Sequence, residues 1–160
     1  MTTFNGLPAH VLLVHFIVIL APLTAALAIV CAVWPAARKR LVWLVLGLAV
    51  LTVVLTPLTT DAGEWLEHKV GRSPLLHAHT KLGDTMIYFA VALLIAAALL
   101  ALIHVREVRA QSVKPIATWI VAAIVIVAGV ATTAQVYRIG DSGARVTWSG
   151  RVGALDVRTP

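Results

Sequence analysis

Four apolar runs, each long enough to cross a membrane, limit what this chain can fold into more than any other feature of its sequence. A helix needs about 20 residues to cross about 30 Å of hydrocarbon, because each residue adds about 1.5 Å of rise. A single crossing segment can satisfy its backbone in lipid only as a helix. The connections are short, so consecutive helices are antiparallel. We therefore predict an all-α, integral membrane, up-down four-helix bundle over residues 1–139. Its predicted spans cover about 9–34, 41–59, 76–105 and 116–138.

The composition agrees with a membrane protein and excludes several functional classes. Of the 160 residues, 60% are hydrophobic and 12% are charged, whereas soluble domains average about 45–50% apolar and about 25% charged residues. The net charge of +6 is explained by cationic connections between spans, so we predict no nucleic-acid partner. The single cysteine, Cys31, excludes an internal disulfide, a covalently attached c-type haem and iron–sulfur ligation.

The distribution of basic residues predicts the orientation. No lysine or arginine precedes the first run, whereas Arg38, Lys39 and Arg40 follow it. The connection over 106–114 is also basic, and by the positive-inside rule both connections are cytoplasmic. We therefore expect a multi-pass protein of the cytoplasmic (inner) membrane with both termini outside. Residues 140–160 form a polar extracytoplasmic tail, too short and too charged to span.

All but one of the six histidines fall at the predicted outer end of the bundle. His15 lies about 7 Å deeper than His10 and points about 140° away from it, so the two cannot face one point. His77 and His79 are about 200° apart, and again only one can point inward. His79 lies one turn from Gly83, and a glycine there leaves room for a flat ligand.

Three interpretations of this polar cluster are open. In the first, the histidines and hydroxyls lie in the headgroup region and tie the helix ends together without a cofactor. In the second, His15 and His79 hold a haem b between two helices, because imidazole is a common axial ligand. In the third, imidazoles and carboxylates bind a divalent metal ion such as zinc, copper or iron. The candidate ligands for that ion are His10, His15, His79, Glu64, Asp84 and Asp141.

Four stretches of sequence, in order, resemble one known family. They read "GLPAHVLLVHFIVILAPL", "GEWLEHKV", "HTKLGD" and "QVYRIGDSGARVTW". Together they are similar to the bacterial membrane family called domain of unknown function 2231, in its actinobacterial form, from about Gly6 to Trp148. The family's motif residues correspond here to His10, His15, Gly63, Glu64, His79, Leu82, Gly83 and Asp84. Gly140 to Ala144 matches the family's Gly-His-Ser-Gly-Ala, with Asp141 where the family usually has histidine.

The resemblance implies a four-helix membrane domain with no assigned reaction. The family is similar to di-haem cytochrome b-type membrane domains, and its relatives can be joined to Rieske iron–sulfur domains, which favours a redox role. If the family's histidine is a ligand, Asp141 means that it is lost or replaced by a carboxylate. A carboxylate suits a hard metal ion better than a haem iron.

The function predicted from the sequence is a haem b- or metal-binding membrane protein that takes part in electron transfer. It would be a subunit or accessory of a respiratory-type complex rather than a free-standing enzyme. His15 and His79 would be the axial ligands, with Gly83 beside them. The expected partners are the lipid bilayer, a redox partner or membrane complex, and a second copy of the chain, since small residues permit close helix packing. The alternative from another class is a cofactor-free structural or assembly protein.

Overall fold

Five helices make up most of the computed structural model, which describes residues 3–4, 7–70 and 73–156, with side chains over 12–68 and 73–148. The elements are β1 (Thr3–Phe4), β2 (Leu7–Pro8), α1 (Ala9–Val33), α2 (Pro35–Val70), α3 (Pro74–Asp84), α4 (Met86–Val108) and α5 (Pro115–Asp156). The two strands pair over two residues each, just before α1. Four helical segments of the described chain, with α3 and α4 counted as one, are long and apolar enough to span a membrane. The predicted all-α membrane bundle is confirmed.

The four long helices form a closed square. α1 packs against α2 and α5, and α4 packs against the same two helices from the other side. Each helix therefore runs antiparallel to both of its neighbours, which is the up-down arrangement that short connections produce. The core contains many small residues, because helices in lipid associate by close van der Waals packing. The fully buried alanines include Ala21, Ala25, Ala28, Ala49, Ala90, Ala96 and Ala97.

A stripe of threonines on α2 faces the bundle interior. Thr52, Thr56 and Thr59 are all buried. Each hydroxyl donates a hydrogen bond to the carbonyl four residues earlier on its own helix, at 2.7–2.8 Å. Their polarity is therefore satisfied inside α2, and the stripe can face apolar neighbours without an orphaned donor.

Two of the helices are much longer than the predicted spans. α2 has 36 residues and α5 has 42, so they extend about 54 Å and about 63 Å, well beyond about 30 Å of hydrocarbon. The connection expected over 60–75 is mostly the last turns of α2. The described part of the polar tail, 140–156, continues α5 without interruption. Neither 60–70 nor 140–156 contains a proline, so no proline stops the helix where its apolar residues end.

The two extensions lie at one end of the bundle. α3 packs against both α2 and α5 there, beside the start of α1. We call this part of the molecule the histidine end; it comprises the first turns of α1, the last turns of α2, all of α3 and the polar part of α5. The connections α1–α2 and α4–α5 form the opposite end, which we call the basic end.

The third predicted span is interrupted at Thr85, which separates α3 from α4. α3 begins at Pro74 after Ser73, whose hydroxyl accepts a hydrogen bond from the backbone N–H of Leu76 at 3.1 Å. At the interruption, Nε2 of Gln135 donates to Thr85 Oγ1 at 2.7 Å and to the carbonyl of Leu82 at 3.3 Å. A side chain from α5 thus supports the backbone at the break, as helix interruptions in membranes require.

Arg38 at the basic end is buried, although the sequence pattern places it in an exposed cationic connection. Its side chain is 2% exposed, and Nη2 lies 2.7 Å from Oε1 of Glu107 on α4. Nη1 also donates to the carbonyl of Cys31 at 3.3 Å. Because α2 begins at Pro35, Arg38 lies within its first turn, where it joins α1, α2 and α4.

Candidate functional site

A cavity of about 650 Å³ lies at the histidine end and is lined mainly by α1, α2, α3 and α5. This volume falls in the range of about 300–1,000 Å³ that is typical of small-molecule and cofactor sites. The lining includes four of the sequence-predicted site residues: His15 from α1, and His79, Gly83 and Asp84 from α3. The structure therefore brings histidines from two different helices to one cavity.

His79 is oriented by a hydrogen bond that links α3 to α5. Its Nδ1 atom lies 2.7 Å from Oγ of Ser142. The same hydroxyl donates to the carbonyl of Ile139 at 2.8 Å. A serine has one hydroxyl proton, so while it donates to Ile139 its oxygen accepts from an Nδ1–H of His79. With the proton on Nδ1, the lone pair lies on Nε2, and a neutral imidazole can bind a metal through either of its nitrogens.

Glycines shape the walls next to His79. A Cβ atom on Gly143 would lie 3.1 Å from Cε1 of the His79 ring, so any larger residue there would crowd the imidazole. At Gly83 and Gly140 a Cβ atom would have no other heavy atom within 4 Å, which means that open space adjoins the backbone there. Gly63 on α2 also lines the cavity. Helical backbone without side chains thus faces the cavity from three elements, which leaves room for a flat group.

The cavity lining contains a buried carboxylate, Glu67, that the sequence pattern did not single out. Glu67 is 7% exposed, and its Oε2 accepts a hydrogen bond from Thr80 Oγ1 at 2.8 Å. Nδ1 of His77, which is mostly exposed, lies 3.4 Å from Oε1. Glu67 continues the buried threonine stripe of α2: it lies two turns beyond Thr59 and one turn beyond Gly63. That periodicity could have identified it once α2 was extended past Thr59.

Among the described residues, two of the predicted ion ligands do not join the cavity lining. Glu64 is not among the lining residues of α2, and Asp141 is exposed on α5, where its Oδ2 pairs with Nε of Arg145 at 2.9 Å. The side chain of His10 lies outside the described residues. Within the described part of the chain, no group of three His, Cys, Asp or Glu side chains is arranged to hold a metal ion.

Trp148 lies at the wall of the cavity rather than only in an aromatic belt at the membrane boundary. It comes from the polar part of α5, together with Thr147 and Val146. No sequence pattern assigned it to a site, because tryptophan near a span end is the ordinary membrane pattern. Its position follows from the continuation of α5 beyond residue 138.

The arrangement can hold one flat, largely apolar molecule and present it with an imidazole nitrogen. His79 is fixed by Ser142, and His15 reaches the same space from α1. Asp84 and Glu67 add carboxylates to the lining. A mostly apolar cavity with a few convergent polar groups is the usual form of a cofactor or small-ligand site.

Comparison with known proteins gives one match. The chain matches the model of a family described as predicted membrane protein (DUF2231) over residues 6–156. Because the match covers nearly all of the sequence, the protein belongs to this family. No curated protein and no solved structure gives a significant match. The resemblance seen in the sequence is confirmed at the level of the family, and the further likeness to cytochrome b-type domains stays a prediction.

Proposed function

We propose that this DUF2231 protein binds haem b in the cavity at its histidine end and takes part in electron transfer in the membrane. His79 from α3 and His15 from α1 would be the residues that hold the haem iron. The observation that carries the proposal is the hydrogen bond between Nδ1 of His79 and Ser142, which holds the ring at the wall of the cavity. When bound, a haem supplies a one-electron iron couple.

The chain's own residues account for binding and orientation. Ser142 holds Nδ1 of His79 by a hydrogen bond, and such partners orient metal-binding histidines and raise their basicity. Gly143 allows the imidazole to lie close against α5, while Gly83 and Gly140 leave space beside it. The mostly apolar lining makes the surroundings of a bound group less polar than water, which disfavours charge on that group and thereby affects its potential.

Haem is preferred to a bare divalent ion because of the number of ligands required. Haem iron takes one or two protein ligands, whereas zinc and related ions take three or four. The described residues contain no group of three suitable donors. Asp141, the carboxylate that favoured a hard ion, pairs with Arg145 on an exposed face.

The membrane context follows the sequence-based expectation. We propose that the histidine end faces the extracytoplasmic side of the cytoplasmic membrane, because both basic connections lie at the other end. The protein would then act as an electron-transfer subunit or accessory of a respiratory-type complex, with a redox partner in the same membrane. A free-standing enzymatic activity is not part of the proposal.

An absorption spectrum tests this function directly. The protein is purified in detergent, incubated with hemin and measured before and after reduction with dithionite, and iron is determined on the same sample. We expect a sharp reduced α-band and about one iron per chain, as one axially ligated haem requires. His79→Ala and His15→Ala should remove this band. His68→Ala, which changes an exposed histidine that does not line the cavity, should retain it.

Three outcomes would count against the proposal. A featureless spectrum after hemin addition, with stoichiometric zinc, copper or iron, would assign the cavity to a bare ion. A featureless spectrum without metal, together with a lower melting temperature for His15→Ala, would favour the cofactor-free structural role. Equal haem retention in all three histidine variants would also remove His15 and His79 as ligands.

A further inference from the structure

A second cavity lies at the basic end, between the start of α2 and the last turns of α4. Its volume is about 670 Å³, and its lining residues are Pro35, Lys39, His104, Glu107 and Val108. On α2 it is separated from the first cavity by 17 residues, from Lys39 to Thr56, which is about 25 Å of helix. The two cavities are therefore separate sites, and the binding of a ligand to the second does not depend on haem.

His104 is the one histidine in the lining of this cavity. The residue is 8% exposed, and its Nδ1 atom is buried with no hydrogen-bond partner among the described residues. More than nine in ten buried polar groups in proteins are hydrogen-bonded, to protein or to another molecule. Because Nδ1 itself is inaccessible to solvent, a molecule in the cavity would meet His104 through the part of the residue that lines it.

The charge of the cavity favours an anion. Glu107 is the one carboxylate in its lining, and Arg38 holds it through Nη2 at 2.7 Å and Nε at 3.4 Å. This pairing neutralises the carboxylate and leaves the ammonium group of Lys39 as the net charge of the lining. Glu107 is also the sole acidic residue in the connections and helix ends over 33–40 and 104–115, which carry six lysines and arginines.

The cavity lies at the depth of lipid headgroups. Trp34 and Trp43 are both more than half exposed at this end of the bundle, and exposed tryptophans mark the boundary between hydrocarbon and water. The ring of Trp43 lies edge-on to His104, with the ring centroids 6.4 Å apart. His104 and Lys39 are therefore placed at the level where phospholipid phosphates lie.

We propose that this cavity binds the phosphate of an anionic phospholipid, with Lys39 and the His104 imidazole as its contacts. Basic pockets between membrane helices are suited to anionic headgroups, and a charge-assisted hydrogen bond to phosphate strengthens the contact. The acyl chains would lie along the exposed apolar surface that surrounds Trp43. Glu107 does not oppose binding, because Arg38 already compensates its charge.

The test is lipid titration followed by native mass spectrometry of the full-length protein in detergent. The probe is a short-chain phosphatidylglycerol, compared with phosphatidylcholine of the same chain length and with inorganic phosphate. Lys39→Gln removes the exposed cation of the lining, and His104→Leu removes the buried nitrogen. Arg40→Gln is the matched control, because it removes the same charge one residue away and does not line the cavity.

We expect one tightly held phosphatidylglycerol per wild-type chain and preference for it over phosphatidylcholine. Lys39→Gln and His104→Leu should weaken that binding about tenfold, the effect of losing one charge-assisted hydrogen bond, and Arg40→Gln should leave it within about twofold. Equal losses in Lys39→Gln and Arg40→Gln, or equal binding of phosphatidylcholine, would overturn the proposal. Displacement of the lipid by millimolar inorganic phosphate would overturn the lipid assignment and identify a free-phosphate site. Unchanged binding in His104→Leu would overturn the role of the imidazole.

Discussion

Nδ1 of His79 lies 2.7 Å from Oγ of Ser142, and this hydrogen bond joins the short helix α3 to the polar end of α5. The two residues are 63 positions apart, so the contact exists only because α5 continues past its membrane-spanning part. Ser142 is fixed in turn by donating to Ile139 on its own helix. The orientation of the histidine is thus a property of two packed helices and not of α3 alone.

Ser142→Ala should weaken haem binding while leaving both histidines in place. Removing an outer partner of a metal-bound histidine typically lowers affinity by about 10–100-fold, because the ring loses its fixed orientation and tautomer. Hemin titration monitored by absorbance measures this change. Asp141→Asn is the control, since Asp141 is exposed and pairs with Arg145 instead. Equal affinities in the two variants would show that Ser142 does not position His79.

Gly143→Ala and Gly140→Ala form a matched pair for the packing of α5 on α3. Alanine in a helix is favoured over glycine by about 0.5–1 kcal/mol, and at Gly140 nothing lies within 4 Å of the added methyl group. Gly140→Ala should therefore raise the free energy of unfolding of the cofactor-free protein by that amount. Gly143→Ala should show no such gain, because its methyl group would lie 3.1 Å from the His79 ring. Denaturant unfolding in detergent measures both, and an equal gain would contradict the close approach.

The fold was predictable from the sequence because hydropathy alone identifies membrane spans. The ends of α2 and α5 were not, since the apolar pattern ends at the hydrocarbon boundary while the helix continues into water. The predicted end of α2 at Thr59 also affected which residues were assigned to the site. With α2 ended at Thr59, Glu67 has no place on the buried stripe, and the family motif points to Glu64 instead. Measured around the axis of α2 from the centre of that stripe, Glu64 lies about 60° farther away than Glu67 does.

The polar part of α5 shows the same limit. The sequence indicates Asp141 as a candidate ion ligand because it stands where the family usually has histidine. Asp141 and Gly143 are about 200° apart on a helix, however, so they cannot both face α3. The structure directs Gly143 toward His79 and Asp141 toward Arg145. Which of the two faces inward depends on how α5 packs, and a single sequence without a known helix extent does not contain that information.

Arg38→Met should be strongly destabilising, although the residue belongs to a cationic stretch. It would leave the Glu107 carboxylate, which is 30% exposed, without its partner, and losing one partner of such a part-buried charged pair costs about 1–3 kcal/mol. The double variant Arg38→Met with Glu107→Leu should recover most of that loss, because both charges are removed together. Arg40→Met, at an exposed position, should stay within about 0.5 kcal/mol of wild type. Thermal unfolding of the four proteins gives the comparison, and similar stabilities for the Arg38 and Arg40 variants would refute a buried pair.

Gln135→Leu should make α3 less stable, and His79, which lies on α3, should be held less firmly. Gln135 donates to Thr85 and Leu82 at the break between α3 and α4, while Thr85 also donates to Leu82 at 2.7 Å. Because the bond from Thr85 to Leu82 remains in the variant, we expect the free energy of unfolding to fall by about 1 kcal/mol rather than by the full cost of two unpaired groups. Hydrogen exchange should increase over 74–84 and stay unchanged in the middle of α4. Thr133→Ala removes a hydroxyl from the same turn of α5 that donates to Gly129 on its own helix, and it should leave exchange in α3 unaltered. Unchanged exchange in Gln135→Leu would mean that α3 is held by its packing on α2 and α5 without this side chain.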